Sequence, residues 1–275
     1  MISRFSQKPG TRPPVRGFVR KPARKFEKQT DTSWQAETKD YNKIVGEDGH
    51  YYHQHVVIPG VLRLLNLKRN DALLDLGCGQ GVLARAIPSG VKYVGVDAAA
   101  GLIEAAKKMD REPNHKYVVA SATRQLQLNE AFTSASIVLA LQNMELPQNA
   151  IANASKLLIK DGKLVIVLNH PMFRIPRQSG WGEHDNKLHY RYVNRYLSAM
   201  KIPILMHPSR KGGAETISYH FPLSYYIDAL VKNGFVITGI EEWTSDKESK
   251  GKAAKQENRA RAEIPLFMAI LAQKR

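Results

Sequence analysis

The stretch LLDLGCGQGVLARAI, residues 73–87, limits what this chain can become more than any other. An apolar run ending at Asp75-Leu76 reads as a buried strand. The loop Gly77-Cys78-Gly79-Gln80-Gly81 follows, and GVLARAI then has helical periodicity. Glycines in that loop permit a tight turn and close approach of a ligand to the backbone. A helix starting there would offer unpaired N–H groups to it. The spacing is G-x-G-x-G rather than the G-x-G-x-x-G of dinucleotide loops, and an acid, Asp75, stands inside the strand. A second acid, Asp97, closes the next strand, KYVGVD, where a carboxylate can accept both hydroxyls of a ribose. Asp97 also suits an N-cap for AAAGLIEAAKKM. Loop and acid occur at matching places, so ribose binding is the favoured reading.

The rest of the chain repeats this rhythm. ALLDL (72–76), KYVGVD (92–97), KYVVAS (116–121), ASIVLAL (135–141) and KLVIVLN (163–169) read as strands, and AAGLIEAAKKM and NAIANASKLLI as helices between them. Short apolar strands alternating with helices imply a doubly wound, mostly parallel α/β sheet. Upstream, SWQAETKDYNKIVG and VVIPGVLRLLNL read as helical pieces, with Pro59 near the first turn of the second. Residues 170–214 break the rhythm, with many His, Arg, Tyr and Pro and little strand signal. PLSYYIDALVKNGF then reads as a helix stopped near Gly234, VITGIEEW and PLFMAILA as strands, and 244–262 as a charged connection.

Charge is distributed unevenly. The chain's net charge is +16; residues 1–30 hold nine Lys/Arg against Glu27, a net +8, which leaves +8 for the rest. Residues 1–31 are expected to form a disordered basic tail, because they carry too little apolar surface to offset ordering. Two readings of the tail stand level: an arm that touches RNA or another anionic surface, and a solvated extension. Residues 32–275 form the expected catalytic domain. Its lone cysteine, Cys78, suits a reducing compartment, and the absence of a signal sequence or an apolar run of membrane-spanning length suits the cytoplasm. HYYHQH (50–55) has no strong metal-ligand spacing, so no metal is expected. Its histidines read as helix-surface residues near the entrance of the ligand site, with Tyr51 or Tyr52 as a cover.

LDLGCGQG, YVGVDAAAGLIEAAKK and LLIKDGKLVIVLN resemble the motifs of class I, Rossmann-like S-adenosylmethionine-dependent methyltransferases. LSYYIDALVKNGFVITGIEEW and IPLFMAILAQKR resemble that family's last helix and closing hairpin. The layout is most similar to small-molecule members such as the ubiquinone- and menaquinone-biosynthesis-like enzymes. The resemblance implies a seven-stranded sheet with six strands parallel and the last antiparallel, and S-adenosyl-L-methionine as cofactor. It implies that Asp75, Gly77, Gly79 and Gly81 hold the amino-acid end of the cofactor, with Cys78 packed in the loop as in many members. Asp97 would take the ribose and Ala98 would lie near adenine. Ser121-Ala122 stands where many members have Asp-Ala; serine shortens that contact, so the backbone of Ala122 is the stronger assignment. Leu141-Gln142-Asn143 would face the sulfonium side.

Methyl transfer needs alignment above all, and at times removal of a proton from the acceptor. Ligands of parallel sheets bind beyond the carboxyl ends of the strands, which points to Asn169 and His170 after the fifth strand. His170 is the candidate base; a histidine capping a strand end is the even alternative. Residues 170–214 are the expected lid over the acceptor, with Arg174, Arg177 and Trp181 suited to a planar or anionic molecule. The partner expected is a small-molecule acceptor. An RNA acceptor reached through residues 1–30 is the alternative, and a non-catalytic cofactor-fold binding protein a third.

Overall fold

The structure, a computed structural model, describes Trp34, Gln35, Thr38, Val45, Gly46 and residues 49–184, 188–205 and 215–275. The expected tail, residues 1–31, lies outside the described residues, as does most of the expected helical piece over 33–46.

Seven strands build the central sheet: β1 (Ala72–Leu76), β2 (Lys92–Asp97), β3 (His115–Val119), β4 (Phe132–Val138), β5 (Leu158–Asn169), β10 (Phe235–Trp243) and β11 (Phe267–Lys274). Their order is β10-β11-β5-β4-β1-β2-β3. Pairings across β3, β2, β1, β4 and β5 are parallel, and β11 is antiparallel to both β5 and β10. Six strands therefore share a direction and β11 alone opposes it. This is the class I methyltransferase fold.

Helices cover both faces: α1 (Ile58–Leu65), α2 (Ala100–Met109), α3 (Pro147–Leu157) and α4 (Leu223–Lys232). Strand β5 shows why its sequence is continuously apolar. Leu164, Ile166 and Leu168 join one buried cluster with Ile151 and Ala154 of α3 and Leu230 of α4. Val165 and Val167 point the other way, to Val61 and Leu65 of α1 and Ile103 and Ala106 of α2. A strand covered on both faces has no polar alternation to keep. Helix α1 begins with Pro59 in its first turn, and Asn66 ends it in the left-handed region (φ 48°). One π-helical turn, His53–Val57, precedes it.

Three local expectations are corrected. GVLARAI forms turns and a single 3₁₀ turn at Ala84–Ala86 rather than an α-helix. Gly81 sits at φ 76°, and Pro88 follows within seven residues, too few to offset helix nucleation. Residues 170–214, read as poor in strands, carry β6 (Ser179–His184), β7 (Leu188–Val193) and β8 (Met200–Leu205); β9 (Glu215–His220) completes a second hairpin. Gly180 and Gly182 hid the β6 pattern, because their strand contacts come from the partner's rings: Tyr192 lies opposite Gly180 and Tyr190 opposite Gly182. The charged connection contains α5 (Ala254–Glu263), a mostly polar helix with no apolar period to announce it.

Candidate functional site

The sheet order reverses direction between β1 and β4, and their carboxyl ends open the crevice in which such sheets bind ligands. A cavity of about 1130 Å³ lies there. The glycine loop forms one wall. Gly77, Gly79 and Gly81 have φ of 82°, 55° and 76°, conformations that side chains resist. A Cβ on Gly77 would stand 2.4 Å from the Cβ of Ala140, and one on Gly81 2.7 Å from the Tyr117 hydroxyl. The N–H groups of Gly77 and Cys78 donate to Val96 O at 2.7 and 3.1 Å, folding the loop onto the end of β2.

Asp97 closes that fold. Its Oδ2 accepts from Gly79 N at 3.0 Å and its Oδ1 from Ala99 N at 2.8 Å. A carboxylate has about four acceptor sites, so two remain. Burial raises the Asp97 pKa, against the backbone hydrogen bonds that lower it. Asp97 lines the cavity, and its bond to Ala99 N lies just ahead of α2; it is not the N-cap expected as the alternative, since Ala99 holds that position with no side-chain cap.

Asp75 is more deeply set, 2% exposed. Tyr93 Oη donates to its Oδ2 and Ser136 Oγ to its Oδ1, both at 2.8 Å. Burial pushes its pKa up to about 6, opposed by those two hydrogen bonds. Asp75 touches the cavity but spends both oxygens on protein hydroxyls. Cys78, the free cysteine, packs against Gly95, and burial pushes its thiol well up. That keeps it protonated and unreactive.

Ala98, Ser121, Ala122, Gln142 and Asn143 also line the cavity, whereas Gly81 and Leu141 do not. Leu141 is fully buried in the α3 side of the core; the 3₁₀ turn Leu141–Asn143 sends its first side chain inward and the next two toward the crevice. Leu139 before it is left-handed (φ 52°), and its carbonyl accepts from Gln142 Nε2 at 2.8 Å and Asn143 Nδ2 at 3.4 Å. Gln142 Oε1 is buried without a partner. Ser121 Oγ pairs with Thr123 Oγ1 at 3.0 Å, and Ala122 O accepts from Asn153 Nδ2 at 2.7 Å.

Among the acceptor candidates, Asn169 and Arg174 line the cavity. Arg177 stands exposed on a left-handed turn (φ 59°), and Trp181 stacks under Arg191 at 5.3 Å; neither reaches the cavity lining. His170 is also outside that lining. Its ring is 3% exposed, its Nε2 lies 2.7 Å from Glu242 Oε1, and its Nδ1 accepts from Met172 N and Phe173 N at 3.2 and 3.3 Å. Burial lowers its pKa, against the raising effect of Glu242. Nδ1 thus holds the turn after β5, the capping role set beside catalysis in the sequence, and Nε2 ties that turn to β10.

Trp34, Lys201 and Tyr219 line the cavity and were not singled out for the site; His50, Tyr52 and His53 of the HYYHQH cluster, expected near its entrance, line it too. His53 is buried rather than on a helix surface; burial lowers its pKa to about 4, and its Nδ1 has no partner. Of the two tyrosines, Tyr52 reaches the cavity, while Tyr51 donates to Asp246 at 3.1 Å. Among the described residues no group of three or more His, Cys, Asp or Glu could hold a metal, and no helix is long and apolar enough to cross a membrane.

Residues 74–166 match the family described as a methyltransferase domain. An uncharacterised methyltransferase of Schizosaccharomyces pombe is 33% identical over 82 residues, which span 28% of this chain and 32% of that protein. An S-adenosylmethionine-dependent methyltransferase from Mesorhizobium loti superposes with a TM-score of 0.64 at 21% identity, over 83% of this chain and 100% of its own. A second, from Listeria monocytogenes, gives 0.60 at 23% identity over 79% and 99%. These two likenesses carry the fold, and the family match supplies the methyltransferase domain at its centre. The chain therefore has the class I methyltransferase fold, with residues 74–166 similar to a methyltransferase domain.

Proposed function

We propose that this protein transfers a methyl group from S-adenosylmethionine to a small-molecule acceptor by direct SN2 displacement. The observation that carries this reading is one continuous cavity. It joins the glycine loop to the segment after β5 and the β8–β9 hairpin, and its volume of about 1130 Å³ exceeds the roughly 300–1,000 Å³ of a typical single-ligand pocket. That leaves room for a cofactor and a small second molecule side by side.

The cradle fits the cofactor. Gly77 and Gly79 let the backbone approach its amino-acid end. Asp97 has free lone pairs for the ribose hydroxyls, Ala98 and Ala122 flank the adenine, and Gln142 and Asn143 face the sulfonium side. When bound, S-adenosylmethionine supplies an already activated methyl group. The chain's own task is then alignment and exclusion of water. The described residues of the 170–214 segment act as the lid, with Asn169 and Arg174 toward the acceptor. Because His170 spends both nitrogens on the fold, any proton taken from the acceptor goes elsewhere.

The test is transfer of labelled methyl from S-adenosylmethionine by the full chain and by a chain lacking residues 1–30, offered either a metabolite extract or RNA. The small-molecule reading expects label in the metabolite fraction from both chains. Label in RNA alone, lost with the tail, would favour an RNA acceptor. Cofactor binding with no transfer to either would favour a binding protein.

A further inference from the structure

We propose that the acceptor carries an anionic group, a carboxylate or a phosphate, and that Arg174 receives it on the β5 side of the cavity. The inference rests on the small-molecule reading and names its substrate class.

Arg174 lines the cavity and is half-buried, yet no carboxylate or hydrogen-bond acceptor meets its side chain among the described residues. Its Nε is sealed from solvent and has no partner. A buried guanidinium without an acceptor forfeits hydration and gains nothing in return. A second cation is packed near it: burial and then the charge of Arg191 lower the Arg174 pKa to about 10. Arg191 is spoken for. Its Nε donates to Phe173 O at 2.7 Å and its Nη2 to Ser179 Oγ at 3.1 Å, with the Trp181 ring against it at 5.3 Å. It therefore stiffens the segment that carries Arg174 and leaves Arg174 as the one of the two that lines the cavity.

A third positive group belongs to the same wall. Lys201 on β8 lines the cavity, its Nζ 5.7 Å from the ring of its cross-strand partner Tyr219. The acids of the lining do not answer these charges. Asp75 is closed by Tyr93 and Ser136, and Asp97 is at the end of β2 with the glycine loop. From β5 to β2 is three strand spacings, roughly 14 Å at about 4.8 Å each. Glu145, exposed at the mouth, pairs with neither cation among the described residues. An anion with two oxygens matches the planar fork of a guanidinium.

The cofactor has a carboxylate of its own, so the experiment separates the two sources. Inorganic phosphate, benzoate and the neutral benzamide are titrated calorimetrically into the full chain, with and without saturating S-adenosylhomocysteine, and into Arg174→Gln and Arg174→Lys. Thermal melting checks that each variant is folded. Wild type should bind phosphate and benzoate and discriminate against benzamide. Arg174→Gln should weaken the anions at least tenfold, and Arg174→Lys by less. S-adenosylhomocysteine affinity should stay within twofold throughout. The proposal is overturned if wild type binds neither anion, if benzamide binds as well as benzoate, or if Arg174→Gln leaves anion binding unchanged. It is also overturned if Arg174→Gln weakens S-adenosylhomocysteine instead, since Arg174 would then hold the cofactor's carboxylate. Methyl label entering only RNA, with the anion arm intact, would sink the small-molecule reading and leave the Arg174 anion site standing.

Discussion

Asp75 ties the stability of the fold to pH in a direction opposite to that of an ion-paired carboxylate. It is buried under the glycine loop with only two neutral hydroxyls for company, and its pKa rises from 3.8 to about 6. The folded chain therefore holds this proton more tightly than the unfolded chain. The stability it contributes is full below about pH 3.8 and is lost as pH rises through about 6. A shift of about two units at 1.36 kcal/mol each amounts to about 3 kcal/mol. Asp75→Asn is nearly isosteric, does not titrate, and can accept from one hydroxyl and donate to the other, since each hydroxyl does both. The stability of the variant minus that of wild type should rise by about 2.4 kcal/mol between pH 4 and pH 7.5, the part of that total lost above pH 4. Urea unfolding at each pH measures it. Taking the difference removes the histidines, whose lowered pKa values act with the opposite sign: His53 loses its contribution as pH falls from about 6.5 to 4. A difference flat within about 0.5 kcal/mol, or one that falls with pH, would refute the claim that Asp75 is held at a desolvation cost.

Asp97→Ala should weaken S-adenosylhomocysteine binding by about 1.5–3 kcal/mol, the loss of a charged acceptor, and calorimetry showing wild-type affinity would remove Asp97 from the ribose site. Gly77→Ala places a Cβ 2.4 Å from that of Ala140 at a φ of 82°; a loss of about 2–4 kcal/mol by denaturant titration is expected, together with loss of cofactor binding. His170→Ala removes a buried ring and the support of Met172 N and Phe173 N, so stability should fall by about 2–4 kcal/mol while S-adenosylhomocysteine affinity holds. A drop in turnover of 10² or more with unchanged stability would instead restore His170 to the chemistry.

Local pattern was enough for the sheet and half of the site. Strands β1, β2 and β5 were legible because a strand covered on both faces must be apolar throughout, and the glycine loop because glycine takes positive φ, and a close neighbour, at least cost. Asp97 was legible for the same reason: it ends a strand at the loop's height. Chain folding decided the rest. Whether GVLARAI becomes a helix depended on the few residues between Gly81 and Pro88 and on what packs there. β6 was hidden because its glycines are filled by Tyr190 and Tyr192 from another strand. His170 and His53 are the sharpest pair. Spacing put the first at the ligand end of β5 and the second on a helix surface, yet Glu242 and two backbone N–H groups draw the first ring into the fold, while packing buries the second against the cavity. The type of a residue is written in the chain, but the partner of each ring nitrogen, and so its protonation state and its use, is set by residues far along the sequence that only the fold brings near.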